Sequence, residues 1–463
     1  MSRDATENVV QNVPPMEGSS RSNFARKSAI GLLGLAVLSI TGFLLAKPIK
    51  RLFMAPPPLA PALRLVAQGR LSEAENPLSS YLEYEPSSVP ACLALAECLL
   101  GERRSQTLEK EPSAENRAKK ALALLGSVQP TNARDAATMR MLTGKAEFAL
   151  HHLGRAEASW SEALRLDPGV EEAGWLLLQL FYIEGRVDES RRLALRLARI
   201  EPDPRDRIRL LLEPARFDAE PLASAGIIAA LEPAIRQDPS DLPSSLAYHR
   251  ALARDGKNVN QGLGALRSIV NRLPENLSCW DIYLDTLAET GDLDGLAEAL
   301  RSVPKQFAGD PRLARHFGRL ALENRDFATA VRHFQEAVAF RASDAASLHR
   351  LGIALKLAGK IAEADAIKAR EAQFEEARVA LRGIKATNGA KAVEGAFEKA
   401  MNRPDLGIRA DPTFEKSFAS LRERMGHPNE ALALHKHVLE FSPDDTDSLA
   451  AVARLSPLVE RRR

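Results

Sequence analysis

The side chains with the most evident chemistry in this chain are three arginines, Arg312, Arg315 and Arg319, set about one helical turn apart. Residues three and four apart share a helix face. Guanidinium groups in such a stripe suit bidentate hydrogen bonds to a carboxylate or an acidic peptide. Constellations for bond-making chemistry do not appear beside them. The chain has no Gly-x-Ser-x-Gly elbow and no His-Glu-x-x-His. The glycines Gly262 and Gly264 follow no strand and precede no lysine, so they read as a loop or helix start rather than a phosphate cradle. His435 and His437 are two apart and face differently, and His151 and His152 are adjacent in a turn; all four read as surface or turn histidines. The paired Asp444 and Asp445 follow the Ser442-Pro443 stop and read as caps for the last helix. Cys92 and Cys98 point to different faces of one expected helix, Cys279 stands alone beside Trp280, and no Cys-x-x-Cys pair exists. The three read as buried, reduced, structural thiols. The expectation is therefore a non-enzyme, without catalytic, cofactor-binding or metal-binding residues.

The elements that must carry the arginines are set by a recurring phrase. A short turn begins at Gly69, His151, Gly185, Gly291, Arg325, Gly359 and Gly426, each followed five residues on by Ala, Ser or Leu. The steps 151 to 185, 291 to 325 and 325 to 359 are each 34 residues, and 359 to 426 is one short of 68. A fixed period in this range marks a solenoid of stacked helical hairpins. Proline lacks an N–H and restricts the residue before it, so it ends helices. Glu85-Pro86, Gln129-Pro130, Asp167-Pro168, Glu201-Pro202, Asp238-Pro239, Leu273-Pro274 and Ser442-Pro443 punctuate the chain accordingly. The frame is uneven. A polar stretch, Glu102–Glu115, is inserted between helices. Around 205–276 only Pro239, Pro274 and apolar spacing hold the period. From Val379 to Asp411 the small-residue positions are lost.

These residues resemble the tetratricopeptide repeat family, most clearly at 137–170, where Gly144, Ala156, Trp160, Ala163 and Pro168 occupy the family's small, aromatic and helix-stop positions. Gly318, Ala330, Phe334 and Ala337 repeat the pattern at 311–344, and Leu351, Gly352, Gly359 and Ala364 continue it. The resemblance covers about ten or eleven repeats over 55–450. It implies an all-α fold, an α-solenoid over 63–455, that binds a protein or peptide partner on the concave face lined by each first helix. By the family's positions that face would present Arg312, Arg315, Arg319, Leu322 and Glu323, then Ala346, His349, Ile353, Lys356 and Leu357, with Arg350 adjacent. Arg312, Arg315, Arg319, His349, Arg350 and Lys356 are thus the candidate partner-binding residues. Asp281 and Asp285 hold the equivalent places of the preceding repeat, so neutralisation of the arginines within the chain is the alternative. The family's Lys/Asn carboxylate clamp is absent.

Composition agrees with such an array. A chain of 463 residues exceeds an ordinary single core, but each solenoid repeat packs only on its neighbours. The 63 basic and 61 acidic side chains leave a net charge of +2, without the basic excess of a generic nucleic-acid binder. No small-molecule substrate is evident. The closing Arg461–Arg463 belongs to a basic tail, 456–463.

Residues Ala29 to Ala46 carry no charge. As a helix, eighteen residues cover about 27 Å, enough for a thin hydrocarbon core. The expected layout is a disordered polar tail (1–27), a transmembrane helix (28–47) and a Pro-rich linker (48–62) before the solenoid. A cleaved signal peptide would need small residues three before the cut, where Leu44 and Phe53 stand instead. Basic residues balance on the two sides: Arg21, Arg26 and Lys27 before, and Lys47, Lys50 and Arg51 after. The short tail before a first hydrophobic segment favours export of the chain beyond it. The reading is a single-pass protein of a bacterial inner membrane with an extracytoplasmic solenoid, acting as a scaffold in envelope assembly or secretion. The alternative is an accessory subunit of an enzyme encoded elsewhere. The full-length chain is expected to stay in the membrane pellet through an alkaline wash; its release would show that 28–47 does not anchor it.

Overall fold

In the computed structural model of this protein, the described residues are 57–101, 112–201, 203, 206, 209–210, 222–341, 344–382, 412–424, 426–441 and 443–460. The expected tail, transmembrane helix and most of the linker (1–56) lie outside them, as do 383–411. Among the described residues no helix is long and apolar enough to cross a membrane.

The chain divides into two compact units, 1–91 and 92–463. In the first, α1 (Leu59–Ala67) and α2 (Leu71–Tyr84) form a hairpin around buried Ala62, Ala74 and Leu78. The division falls inside α3 (Val89–Leu100), after which the second unit continues with α4 (Pro112–Gly126), α5 (Ala133–Ala149), α6 (Leu153–Leu166), α7 (Glu171–Glu184) and α8 (Val187–Ile200). There follow α9 (Ser224–Gln237), α10 (Leu242–Arg254), α11 (Val259–Arg272), α12 (Leu277–Thr290), α13 (Leu293–Ser302), α14 (Ala314–Glu323) and α15 (Phe327–Phe340). The last are α16 (Ala345–Leu357), α17 (Ile361–Arg382), α18 (Pro412–Arg424), α19 (Pro428–Phe441) and α20 (Thr446–Glu460). Successive helices pack against each other as hairpins, and no strand occurs among the described residues. This is the all-α, tetratricopeptide-like array expected from the repeat.

Every one of the seven turns read from the sequence opens on a residue in the left-handed region. Gly69, Gly185, Gly291, Gly359 and Gly426 have φ between 68° and 83°, His151 has φ 63° and Arg325 has φ 60°. This conformation ends the first helix and reverses the chain with the shortest linker. Glycine adopts it freely because it has no Cβ, whereas His151 and Arg325 carry strain. An eighth such turn, at Gly256 between α10 and α11, follows the same rule. It is not legible as a repeat because no small residue of the expected kind follows at 261, where a glutamine stands.

Inside the hairpin the small residue and the aromatic meet as a matched pair. A Cβ on Gly144 would lie 2.3 Å from Trp160 Nε1, so only glycine lets α5 and α6 approach this closely. Trp160 is fully buried there and donates its indole N–H to the Met141 carbonyl at 3.2 Å. Gly318 and Phe334 repeat the arrangement between α14 and α15. Helix starts are capped by short acidic or amide side chains. Asp292 accepts from Gly295 N–H, Asp326 from Thr329 N–H and Asp445 from Ser448 N–H, at 2.8, 3.1 and 2.8 Å.

Three sequence readings are corrected. The polar insertion is shorter than Glu102–Glu115, because α4 already begins at Pro112, a favoured first helical position. Arg312 does not share a helix with Arg315 and Arg319. Asp310 accepts the Arg312 N–H at 3.0 Å in a turn, and α14 starts only at Ala314. His435 is buried, not a surface residue: it faces α20, with Nδ1 3.2 Å from Ser448 Oγ, and burial first, then Arg199, pushes its pKa down to about 4. The cysteines are free and buried as expected.

Removing backbone strain should stabilise the array. Arg325→Gly and His151→Gly are each expected to raise stability by roughly 1 kcal/mol, while Gly144→Leu should destabilise through the clash with Trp160 by at least about 1–3 kcal/mol. Chemical denaturation of the three variants checks this, and a destabilised Arg325→Gly would show that the left-handed turn is not the controlling feature.

Candidate functional site

First helices α10, α12 and α14 stand side by side and form one wall of a groove of about 620 Å³. The opposite rim is made by residues 184–192, and the far end by Phe340, Arg341 and Asp344. Apolar patches at Leu242, Leu246, Leu277 and Ile282 alternate with charged side chains along it. The groove exists because the array curls within the second unit. α18 packs against α8, and Arg341 Nη2 reaches Asp188 Oδ2 at 2.6 Å across 153 residues of chain.

The charges of the wall are interleaved, so most are satisfied internally. Arg250 pairs with Asp285 at 3.0 Å and Glu289 at 2.7 Å. Arg315 pairs with Asp281 at 2.7 Å and reaches Asp285 at 3.5 Å. Buried His316 lies on the same Asp281 oxygen at 3.0 Å. Burial would raise the Asp281 pKa, but the His316 contact and the Arg315 charge outweigh it and hold the carboxyl below its usual value. For Arg315, burial opposes the charge, and Asp285 and Asp281 more than offset it, raising the pKa.

The six candidate side chains therefore fall into two groups. Arg312 is held by Asp310, and Arg315 by Asp281 and Asp285, the intramolecular neutralisation that the spacing left open. His349 lies 3.3 Å from Glu371 on an exposed surface. The Lys356 side chain is exposed, with no hydrogen bond or ion pair among the described residues. Arg319 reaches Glu323 at 3.1 Å, while its Nε is buried without a partner among the described residues. Arg350 is half-buried with no ion pair among the described residues, and its pKa is lowered by burial and then by Arg319. Asp285 and Asp344 favour its charge from beyond ion-pairing distance, Arg319 and Arg315 oppose it, and burial tips the balance, so a partner anion in contact would be favoured. On the same helix, α16, Ile353 is 39% and Leu357 53% exposed, one turn apart and one turn beyond Arg350. This cation-and-apolar strip is the candidate site.

Sequence reasoning did not single out Arg250, Arg341 or Asp188. Arg250 lies in 205–276, where the repeat is marked only by its prolines, and could have been found by carrying the first-helix positions back from Asp285. The Arg341–Asp188 pair joins two distant repeats and has no local signal.

No family model and no curated protein matches this chain. Among solved structures it is similar to the APC/C hetero-tetramer Cut9–Hcn1, at 16% identity over 85% of this chain and 88% of that one, with a TM-score of 0.30. It is also similar to yeast Tom70, at 14% identity over 87% and 88%, with a TM-score of 0.28. A third is Naa15/Naa10 bound to HypK-THB, at 14% identity over 86% and 65%, with a TM-score of 0.25. Superposition this loose carries no functional argument; the repeat geometry described above stands on the chain itself.

The two groups of arginines should respond oppositely to substitution. Arg315→Glu would set a third carboxylate between Asp281 and Asp285 and is expected to lower stability by about 3 kcal/mol. Arg350→Gln removes an unpaired, partly desolvated charge and is expected to leave the melting temperature unchanged or higher. Equal losses in both variants would show that Arg350 has an internal partner.

Proposed function

We propose that this chain is a protein-interaction scaffold that captures an acidic, apolar-containing segment of a partner on the α14–α16 wall, and that it acts by binding rather than catalysis. The observation that carries this reading is Arg350, a half-buried cation with no anion among the described residues, beside the exposed Ile353 and Leu357. A partner carboxylate would complete the coordination of Arg350 and engage the buried Nε side of Arg319. Apolar side chains one turn away would cover Ile353 and Leu357. Shape and charge then act together: the carboxylate fixes register, and apolar burial at about 25 cal/mol per Å² supplies most of the affinity. Arg312 and Arg315 stay outside this set, since a ligand carboxylate there would have to displace Asp310 or Asp281.

We further propose that 28–47 anchors the scaffold in a membrane, with the array on the extracytoplasmic side of a bacterial inner membrane. The uncharged eighteen-residue run and the basic residues that bracket it support the anchor, and, three against three, those residues leave the side open. Local tethering of partners for envelope assembly or secretion is the role that such a layout fits.

Binding of fluorescent peptides to the full-length chain tests the site. Peptides with an acidic residue one turn from two apolar residues should bind wild type and lose about tenfold in affinity to Arg350→Gln, the size of one charge-assisted hydrogen bond. Ile353→Asp should lower affinity as well, and rising salt should narrow the gap between wild type and Arg350→Gln. Equal affinity for charge-reversed peptides would overturn the assignment. Co-purification of a stoichiometric enzyme would favour the accessory-subunit reading.

A further inference from the structure

At the rim of the groove, away from the peptide strip, the end of α7 meets the start of α10 through one hydroxyl. Ser244 Oγ is fully buried and lies 2.8 Å from Glu184 Oε1 and 2.8 Å from Asp241 Oδ2. A serine hydroxyl has one proton to donate. It shares that proton between the two carboxylates, or, when one carboxyl is protonated, accepts from that carboxyl and donates to the other. The geometry thus offers a further proton a place between Glu184 and Asp241.

The surroundings favour holding it. Glu184 is 1% exposed in its side chain and stands at the C-terminal end of α7, where the helix dipole disfavours negative charge. Among the described residues, Arg186 is the one cation within ion-pairing distance of Glu184. It donates to Glu157 at 2.7 and 2.9 Å, to Glu184 at 3.1 Å and to Glu189 at 3.3 Å. From α6 the facing groups are Glu157, with His152 and Arg155 acting on Asp238; from α8 they are Arg186, Asp188 and Glu189; from the turn before α10 they are Asp238 and Asp241. Burial, against the opposing pull of Ser244 and Arg186, pushes the Glu184 pKa up to about 7. Asp241 is raised as well, by burial first. Both carboxyls are thus biased toward the protonated form at the same hydroxyl.

We propose that Glu184, Ser244 and Asp241 form a proton-operated joint between α7 and α10, closed while the shared proton is present and loosened when it leaves. Loss of the proton places two carboxylates, Glu184 buried and Asp241 half-buried, on one hydroxyl, with Glu157 and Glu189 already sharing Arg186. Repulsion then acts across the α7–α10 contact, which bridges 60 residues of chain and skips α8 and α9. Glu184, Arg186, Leu242, Leu246 and Arg250 all line the groove. Groove width is thereby linked to pH.

The sign of the linkage is fixed. The folded chain holds its proton to higher pH than the unfolded chain, so it binds more protons between the two pKa values. The contribution of this junction falls as pH rises from the ordinary glutamate value, 4.5, to about 7, and levels off above, while buried His435, held to about 4, contributes in the opposite sense between about 4 and 6.5. Two measurements on the full-length chain test this. The first is the melting temperature from pH 4.5 to 8 for wild type and for Glu184→Gln, whose amide donates permanently to Ser244. Glu184→Gln keeps the His435 contribution, so across the window the wild type should lose melting temperature relative to Glu184→Gln. The second is amide hydrogen exchange at pH 6 and pH 8, corrected for intrinsic rate. In wild type the last turn of α7 and the first turns of α10 should open about tenfold more at pH 8, with α16 as the unaffected control. Parallel melting profiles overturn the joint. So does a wild type whose α7 and α10 protection ignores pH, a result that stands even where Glu184→Gln does not fold.

Discussion

Close approach between the two helices of each hairpin governs everything larger in this molecule. It is achieved in two places at once. At the end of each turn-forming first helix a residue enters the left-handed region, and at the crossing point a glycine gives way to a large side chain from the second helix. Trp160 over Gly144 and Phe334 over Gly318 are buried because the opposing residue has no Cβ. With these hairpins fixed so tightly, neighbouring first helices stack side by side. The stacked array brings α18 beside α8 and Arg341 to Asp188. The groove is a consequence of that stacking.

The same rigidity explains why polar groups on the wall have fixed partners. Arg250 and Arg315 stand on neighbouring first helices on either side of Asp285, and each finds a carboxylate at a spacing set by the stacked backbones. Interleaved pairs of this kind add little net stability, since desolvation offsets most of the attraction. They do dictate register, because a shift of one repeat would set like charges together. Where the interleaving stops, at Arg319 and Arg350, the wall offers unsatisfied cationic character to an incoming chain.

Two kinds of unfinished chemistry thus lie within one array. Arg350 lacks an anion among the described residues, and the Glu184–Ser244–Asp241 cluster holds more carboxylate than its single guanidinium can neutralise. Neither is an accident of exposed side chains; both are partly or wholly desolvated, where an unbalanced charge is expensive. One is relieved by a ligand and the other by a proton.

Features with a local cause could be read from residue order alone. Period, turn, cap and proline stop each depend on residues within about one helical turn of each other, and all seven turns, the proline boundaries and the Asp445 cap are legible there. Trp160 and Gly144, sixteen residues apart within one repeat, are legible through the family pattern that they share. The electrostatics emerge only from packing. Whether an arginine is free or paired depends on a carboxylate 34 residues away for Arg315 and 153 for Arg341, and no window of sequence ranks those partners. The burial of His435 and the proton of Glu184 belong to the same class, because each is set by a packing partner contributed by another helix. Local backbone geometry is written residue by residue; charge balance is a property of surfaces brought together by the fold.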